Sequence, residues 1–108
     1  MVVMDVWTAC FVDSKYSMTP EEVARLTSAY QEIGLDVNLQ DLHTEDEIIA
    51  ACGHTDVLLC NGNPPISRKV LKLLPDVKVV QRFGIGVNSV DLEAAAEYGV
   101  VVLNQPGI

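Results

Sequence analysis

Apolar and polar residues fall along the chain in alternating blocks of two kinds. Val2 to Phe11 is apolar apart from Asp5 and Thr8, the pattern of a central strand buried on both faces. Thr19-Pro20-Glu21-Glu22 then supplies a capping threonine, a proline at the first helical position and a glutamate three residues after the cap. A first helix is predicted from there. Val23, Leu26, Tyr30 and Ile33 recur at helical spacing as one buried stripe, and Gly34 provides the left-handed residue that ends it. Leu35 to Leu42 alternates with period two, as in an edge strand with one less buried side. Thr44-Glu45-Asp46-Glu47 repeats the capping box, Ile48, Ile49 and Cys52 give the second helix its apolar side, and Gly53 is expected to close it as Gly34 closes the first.

Asp56 to Cys60 is short and apolar after its first residue, which predicts a central parallel strand. Asn61-Gly62-Asn63-Pro64-Pro65 can neither extend a strand nor start a helix, so it is a loop. Ser67 caps a third helix that Pro75 stops, and Val77 to Phe83 is the fourth strand. Asp91 caps the fourth helix, Gly99 ends it, and Val100 to Leu103 is the fifth strand. Five strands alternating with four helices predict an α/β fold over residues 1–108: a flavodoxin-like, doubly wound, five-stranded parallel sheet of order 2-1-3-4-5. The fifth strand is apolar at every position yet falls at an edge, so something is expected to cover it, or copies of the chain to associate through it.

Composition narrows the function. A chain of 108 residues that is 49% hydrophobic has material for one real core and no room for a second domain. Fifteen acidic against seven basic side chains give a net charge of −8, which argues against nucleic acid as a partner. The first residues lack the pattern of a signal peptide, and no run approaches the ~18 apolar residues of a membrane span, so the expectation is a cytoplasmic protein with no membrane partner. Cys10, Cys52 and Cys60 are odd in number and without CxxC spacing; they read as buried hydrophobes rather than a disulfide framework or a metal site. Cys60 alone, near a strand end, merits a check for ligand proximity. His43 and His54 fall at helix boundaries without matched partners.

The candidate chemistry lies at Arg82-Phe83-Gly84-Ile85-Gly86, a glycine turn at the carboxyl end of the fourth strand, where open α/β sheets bind ligands. The glycines leave the backbone open, the amides of Ile85, Gly86 and Val87 can form an anion-binding concavity, and Arg82 adds a charge with bidentate geometry. At roughly 1.5 to 3 kcal/mol for each charge-assisted hydrogen bond, three or four would orient a small acid. On this motif alone a plain structural turn explains the glycines equally well. A dinucleotide fingerprint does not: Ser89 stands where the third glycine belongs, and Leu103-Asn104-Gln105 offers no acid for a ribose hydroxyl. Asp5, Asp13 and Asp56 suggest a phosphoacceptor receiver domain, but Asp56 starts its strand and the fifth strand carries no lysine.

The stretch RFGIGVNSVDLEAAAEYGVVVLNQPG resembles the N-terminal part of the D-isomer-specific 2-hydroxyacid dehydrogenases, the family of phosphoglycerate dehydrogenase, over about 30 residues. Asn88 and Ser89 replace that family's usual Asp-Asn and leave the glycines intact. The resemblance implies that Gly84, Ile85 and Gly86 hold the carboxylate of a 2-oxo or 2-hydroxy acid with Arg82 beside them. Asn61 holds the place of an arginine found in phosphoglycerate-specific relatives, which weakens the case for a phosphorylated substrate. It also implies a homodimeric parent whose NAD-binding domain and catalytic residues follow this chain, so no residue here is expected to be catalytic or to bind the NAD. A helix returning from the far C-terminus would complete the substrate domain. The alternative is a free-standing flavodoxin-like binding or interaction module without catalysis.

Overall fold

The computed structural model describes residues 7–15, 18–62, 64–83 and 89–105. The predicted first strand is described from residue 7, and Val2 to Val6 lie outside the described residues. The elements are β1 (Trp7–Phe11), α1 (Pro20–Glu32), β2 (Leu35–Leu39), α2 (Glu45–Ala51), β3 (Val57–Cys60), α3 (Arg68–Leu73), β4 (Val79–Phe83), α4 (Leu92–Glu97) and β5 (Val101–Gln105). The five strands form one parallel sheet of order β2-β1-β3-β4-β5, the doubly wound α/β arrangement that the alternating pattern predicts.

Register explains why the apolar runs are continuous. Val37, Ala9, Val57, Val79 and Val101 form one row across the sheet, and Asn38, Cys10, Leu58, Val80 and Val102 form the next. Successive rows face opposite sides. On one side Cys10, Leu58, Cys60 and Val80 pack with Ile48 of α2, Val70 and Leu71 of α3, and Ala94 and Ala95 of α4. On the other, Ala9, Phe11, Val57 and Leu59 pack against Leu26 and Tyr30 of α1. Among the described residues, α2, α3 and α4 therefore cover one face and α1 packs on the other. β5 shows the consequence: Val102 packs on the three-helix core, while Val101 is 54% and Leu103 47% exposed.

The caps follow the sequence closely. Thr19 accepts from the Glu22 amide and its own amide donates to the Glu22 carboxylate, a complete capping box. Thr44 accepts from the Glu47 amide, but the Glu47 carboxylate meets the Thr44 hydroxyl at 3.3 Å, so this box is half made. Gly34 and Gly99 carry the left-handed φ values of 93° and 70° expected after α1 and α4. Gly53 does not: α2 ends at Cys52, whose N–H reaches the Ile48 carbonyl in an ordinary last turn.

Four further expectations change. Ile33 is 74% exposed, because it caps α1 and the turn at Gly34 takes it off the buried stripe. β2 stops at Leu39, because Asp41 makes an antiparallel bridge to Asp13 that bends the chain; Leu42 still packs on the core, bonding Val12. β4 starts at Val79, and β5 runs on to Gln105. No helix among the described residues is long and apolar enough to cross a membrane.

Candidate functional site

The carboxyl ends of β1, β3 and β4 meet at Asp13, Asn61, Gly62 and Arg82. Parallel pairing sets Cys60 opposite Arg82 and Arg82 opposite Asn104, which brings the loop after β3 beside the last residues of β4. The loop after β3 is also tied to the approach to α4, since the Ile66 amide donates to the Ser89 carbonyl and the Asp91 amide to the Ile66 carbonyl. Arg82 and Ser89 are thereby fixed on either side of residues 84–88.

Of the predicted substrate-binding residues, Gly84, Ile85 and Gly86 lie outside the described residues. Arg82 and Asn61 are described and lie at the same edge. Arg82 is half-buried; its Nη1 donates to the Phe83 carbonyl, and its guanidinium lies over Gly62. A β-carbon at Gly62 would sit 3.2 Å from Nη2 and 3.5 Å from both Cζ and Nε. Gly62 has φ +129°, a conformation that also favours glycine. The arginine thus depends on a missing side chain and on a turn that glycine makes possible.

Two buried side-chain polar atoms among the described residues have no hydrogen-bond partner, Arg82 Nε and Ser89 Oγ. Leaving such a group unsatisfied costs about 1–3 kcal/mol, more for a charged one. The two flank residues 84–88 in sequence, and no other buried side-chain nitrogen or oxygen among the described residues lacks a partner.

Asn61 is buried and turned inward: its amide N–H donates to Asp13 Oδ1 at 2.7 Å and its Nδ2 to the Asp13 carbonyl at 3.3 Å. The Gly62 N–H donates to Asp13 Oδ2 at 2.9 Å. The amides at the end of β3 are therefore committed to Asp13 and are not donors for an anion. Asp13 is the residue that reading the sequence as a receiver-like aspartate set aside; its role depends on partners 48 and 49 positions away.

The cysteines divide as a buried core would require. All three are free and buried, and the Cys10 thiol, hydrogen-bonded to Cys52, is pushed up by that bond and by burial. Cys60 is pushed up to about 12, chiefly by burial and then by the Asp13 charge, with Arg82 opposing. It stands near both charges as a neutral thiol rather than a nucleophile. His43 and His54 face solvent, 3.5 Å from Asp41 and 3.4 Å from Asp76 respectively. Among the described residues no group of three His, Cys, Asp or Glu side chains is placed to hold a metal ion. Nor do they fit a dinucleotide, since Asn104 stands in register with Arg82 where an acid would meet a ribose.

What this arrangement can do is hold one small anion against a guanidinium at a strand end. Comparisons with known proteins bear on the family and the fold. The family described as D-isomer specific 2-hydroxyacid dehydrogenase, catalytic domain, matches residues 10–108. The D-3-phosphoglycerate dehydrogenase of Methanocaldococcus jannaschii is 33% identical over 76 residues, covering 70% of this chain and 14% of that protein. The NAD+-bound 3-phosphoglycerate dehydrogenase of Entamoeba histolytica superposes with a TM-score of 0.84 at 19% identity, over 93% of this chain and 33% of its own, a likeness of fold. The D-lactate dehydrogenase of Escherichia coli gives a TM-score of 0.75 at 25% identity, over 93% of this chain and 31% of its own. The chain thus spans a third or less of the relatives it matches. A parallel sheet in this order, an arginine at the end of β4 and a family match over residues 10–108 have one reading: the chain belongs to the D-isomer-specific 2-hydroxyacid dehydrogenases.

Proposed function

We propose that this chain is the substrate-binding portion of an NAD-dependent dehydrogenase acting on the CH–OH group of a D-2-hydroxy acid, and that it is inactive alone. The observation that carries the proposal is the pair of unsatisfied buried atoms, Arg82 Nε and Ser89 Oγ, on either side of the glycine turn. In the parent, a bound NAD would supply the hydride chemistry at C2 of the acid, and no residue of this chain would hold it. The residues of this chain bind and orient that acid: the Ile85 and Gly86 amides and Gly84 receive its carboxylate, Arg82 supplies the charge, and Asn61 bounds the site. Asn61, with its side-chain nitrogen turned towards Asp13, adds no cation, so an unphosphorylated acid is the favoured substrate. The parent is a cytoplasmic homodimer in this reading, consistent with three free thiols, and the open edge at β5 is a surface for self-association.

The test is an assay of the intact polypeptide with NADH and a panel of pyruvate, glyoxylate, hydroxypyruvate and its phosphate. Reduction of an unphosphorylated acid to the D product, lowered about 10- to 100-fold in kcat/KM by Arg82→Gln, is expected from the loss of one charge-assisted hydrogen bond. Turnover undiminished by that substitution would place the carboxylate elsewhere. Activity of residues 1–108 by themselves would remove the division of labour.

A further inference from the structure

We infer that Asp13 is a positioning residue for the anion site: it holds the Asn61–Gly62 turn, and that turn sets the guanidinium of Arg82. The inference rests on the substrate-site reading above and extends it from the residues facing the acid to the one that places them.

Asp13 is 1% exposed and follows β1, two strands away from Arg82 in the sheet. Burying a carboxylate is costly unless its oxygens are hydrogen-bonded. Here Oδ1 takes the Asn61 N–H at 2.7 Å and Oδ2 the Gly62 N–H at 2.9 Å, so both oxygens act on two successive residues of one turn. The Asn61 side chain adds a third link, from Nδ2 to the Asp13 carbonyl. A clamp on consecutive amides fixes the orientation of the peptide between them as well as its position. That peptide leads into Gly62, whose α-carbon forms the floor under Arg82: a β-carbon there would stand within 3.2–3.5 Å of Nη2, Cζ and Nε. The guanidinium thus occupies the space that a side chain at Gly62 would need, so the orientation of the turn bounds where the guanidinium lies. Its Nη1 is held by its neighbour's carbonyl, and Nε has no partner. Asp13 and Arg82 also act with opposite sign on the same Cys60 thiol.

The experiment uses the intact polypeptide with selectively 15N-labelled arginine, pyruvate as the probe, and the variants Asp13→Asn, Asp13→Glu and Arg82→Lys. Asparagine keeps the shape but turns an amide NH2 towards one of the two backbone donors; glutamate keeps the charge and moves it by one methylene. Both are expected to shift the Arg82 Nε–H resonance and to weaken pyruvate binding about tenfold, the loss of one well-placed charge-assisted hydrogen bond. In the Arg82→Lys background, which has no planar fork to place, Asp13→Asn is expected to add nothing. A lowered melting temperature with the Nε–H resonance and pyruvate affinity unchanged would reduce Asp13 to a structural residue and overturn the inference. Should Asp13→Asn fail to fold, Asp13→Glu decides by the same readouts. If the unaltered protein binds no pyruvate, the acid-binding reading fails, while the Nε–H resonance still tells whether Asp13 places Arg82.

Discussion

Arg82 combines three properties that seldom coincide in one side chain: a fixed charge, a buried Nε–H without a partner, and a place at the carboxyl end of a central strand. Its place at the strand end was legible in the sequence, because the apolar run stops at this arginine just before two glycines. The role of Asp13 was not, because each of its contacts to Asn61 and Gly62 spans nearly half the chain, and no local pattern announces it. Asp56 is a simpler case of the same kind. It accepts from Lys78 Nζ at 2.6 Å and from the Thr8 amide at 3.0 Å, and these partners, Lys78 first, hold its carboxyl below the usual range. A depressed carboxyl stabilises the fold above its unfolded pKa, about 3.9, and that contribution is lost as pH falls through the lower folded value. Asp56→Asn is therefore expected to lower the melting temperature at pH 7 and to flatten its fall below about pH 4. Parallel acid limbs in the two proteins would show that the pair contributes nothing.

Elements were the most legible level, since each start and most stops are written in a few adjacent residues. Threonine, serine and aspartate caps opened all four helices, and the period of the apolar positions separated helices from strands. One departure occurred where a distant contact outweighed the local signal, and another where a helix ended before its apolar spacing did. Leu42 continues the alternation of β2, yet the bridge from Asp41 to Asp13 bends the chain before it. Ile33 keeps the helical spacing but lies beyond the helix end, out in solvent. The complete capping box at Thr19 gives a prediction on this scale: Thr19→Ala removes the acceptor for the Glu22 amide, and a loss of about 1 kcal/mol in denaturant unfolding is expected. A loss near zero would mean that tertiary packing alone holds the first turn.

For the whole molecule, strand order was readable because short right-handed crossovers leave few alternatives once five strands alternate with four helices. What covers each face was not, since periodicity tells how apolar a strand is and not which neighbour it meets. Three helices share one face, α1 reaches only part of the other, and Val101 and Leu103 remain open on a strand paired along one side. Association through this edge is expected to appear as concentration-dependent sedimentation of the 108-residue chain. Leu103→Lys should suppress it while leaving stability within about 0.5 kcal/mol, as for a surface change. Sedimentation unaltered by the lysine would locate any contact elsewhere.

The central claim concerns the end of β4, that an acid's carboxylate is held there by Arg82. Calorimetric titration of the intact polypeptide with pyruvate tests it most directly. One saturable site per chain is predicted, with affinity falling about 10- to 100-fold in Arg82→Gln, the worth of one charge-assisted hydrogen bond. Equal affinity in the two proteins, or no binding by the unaltered one, would contradict it.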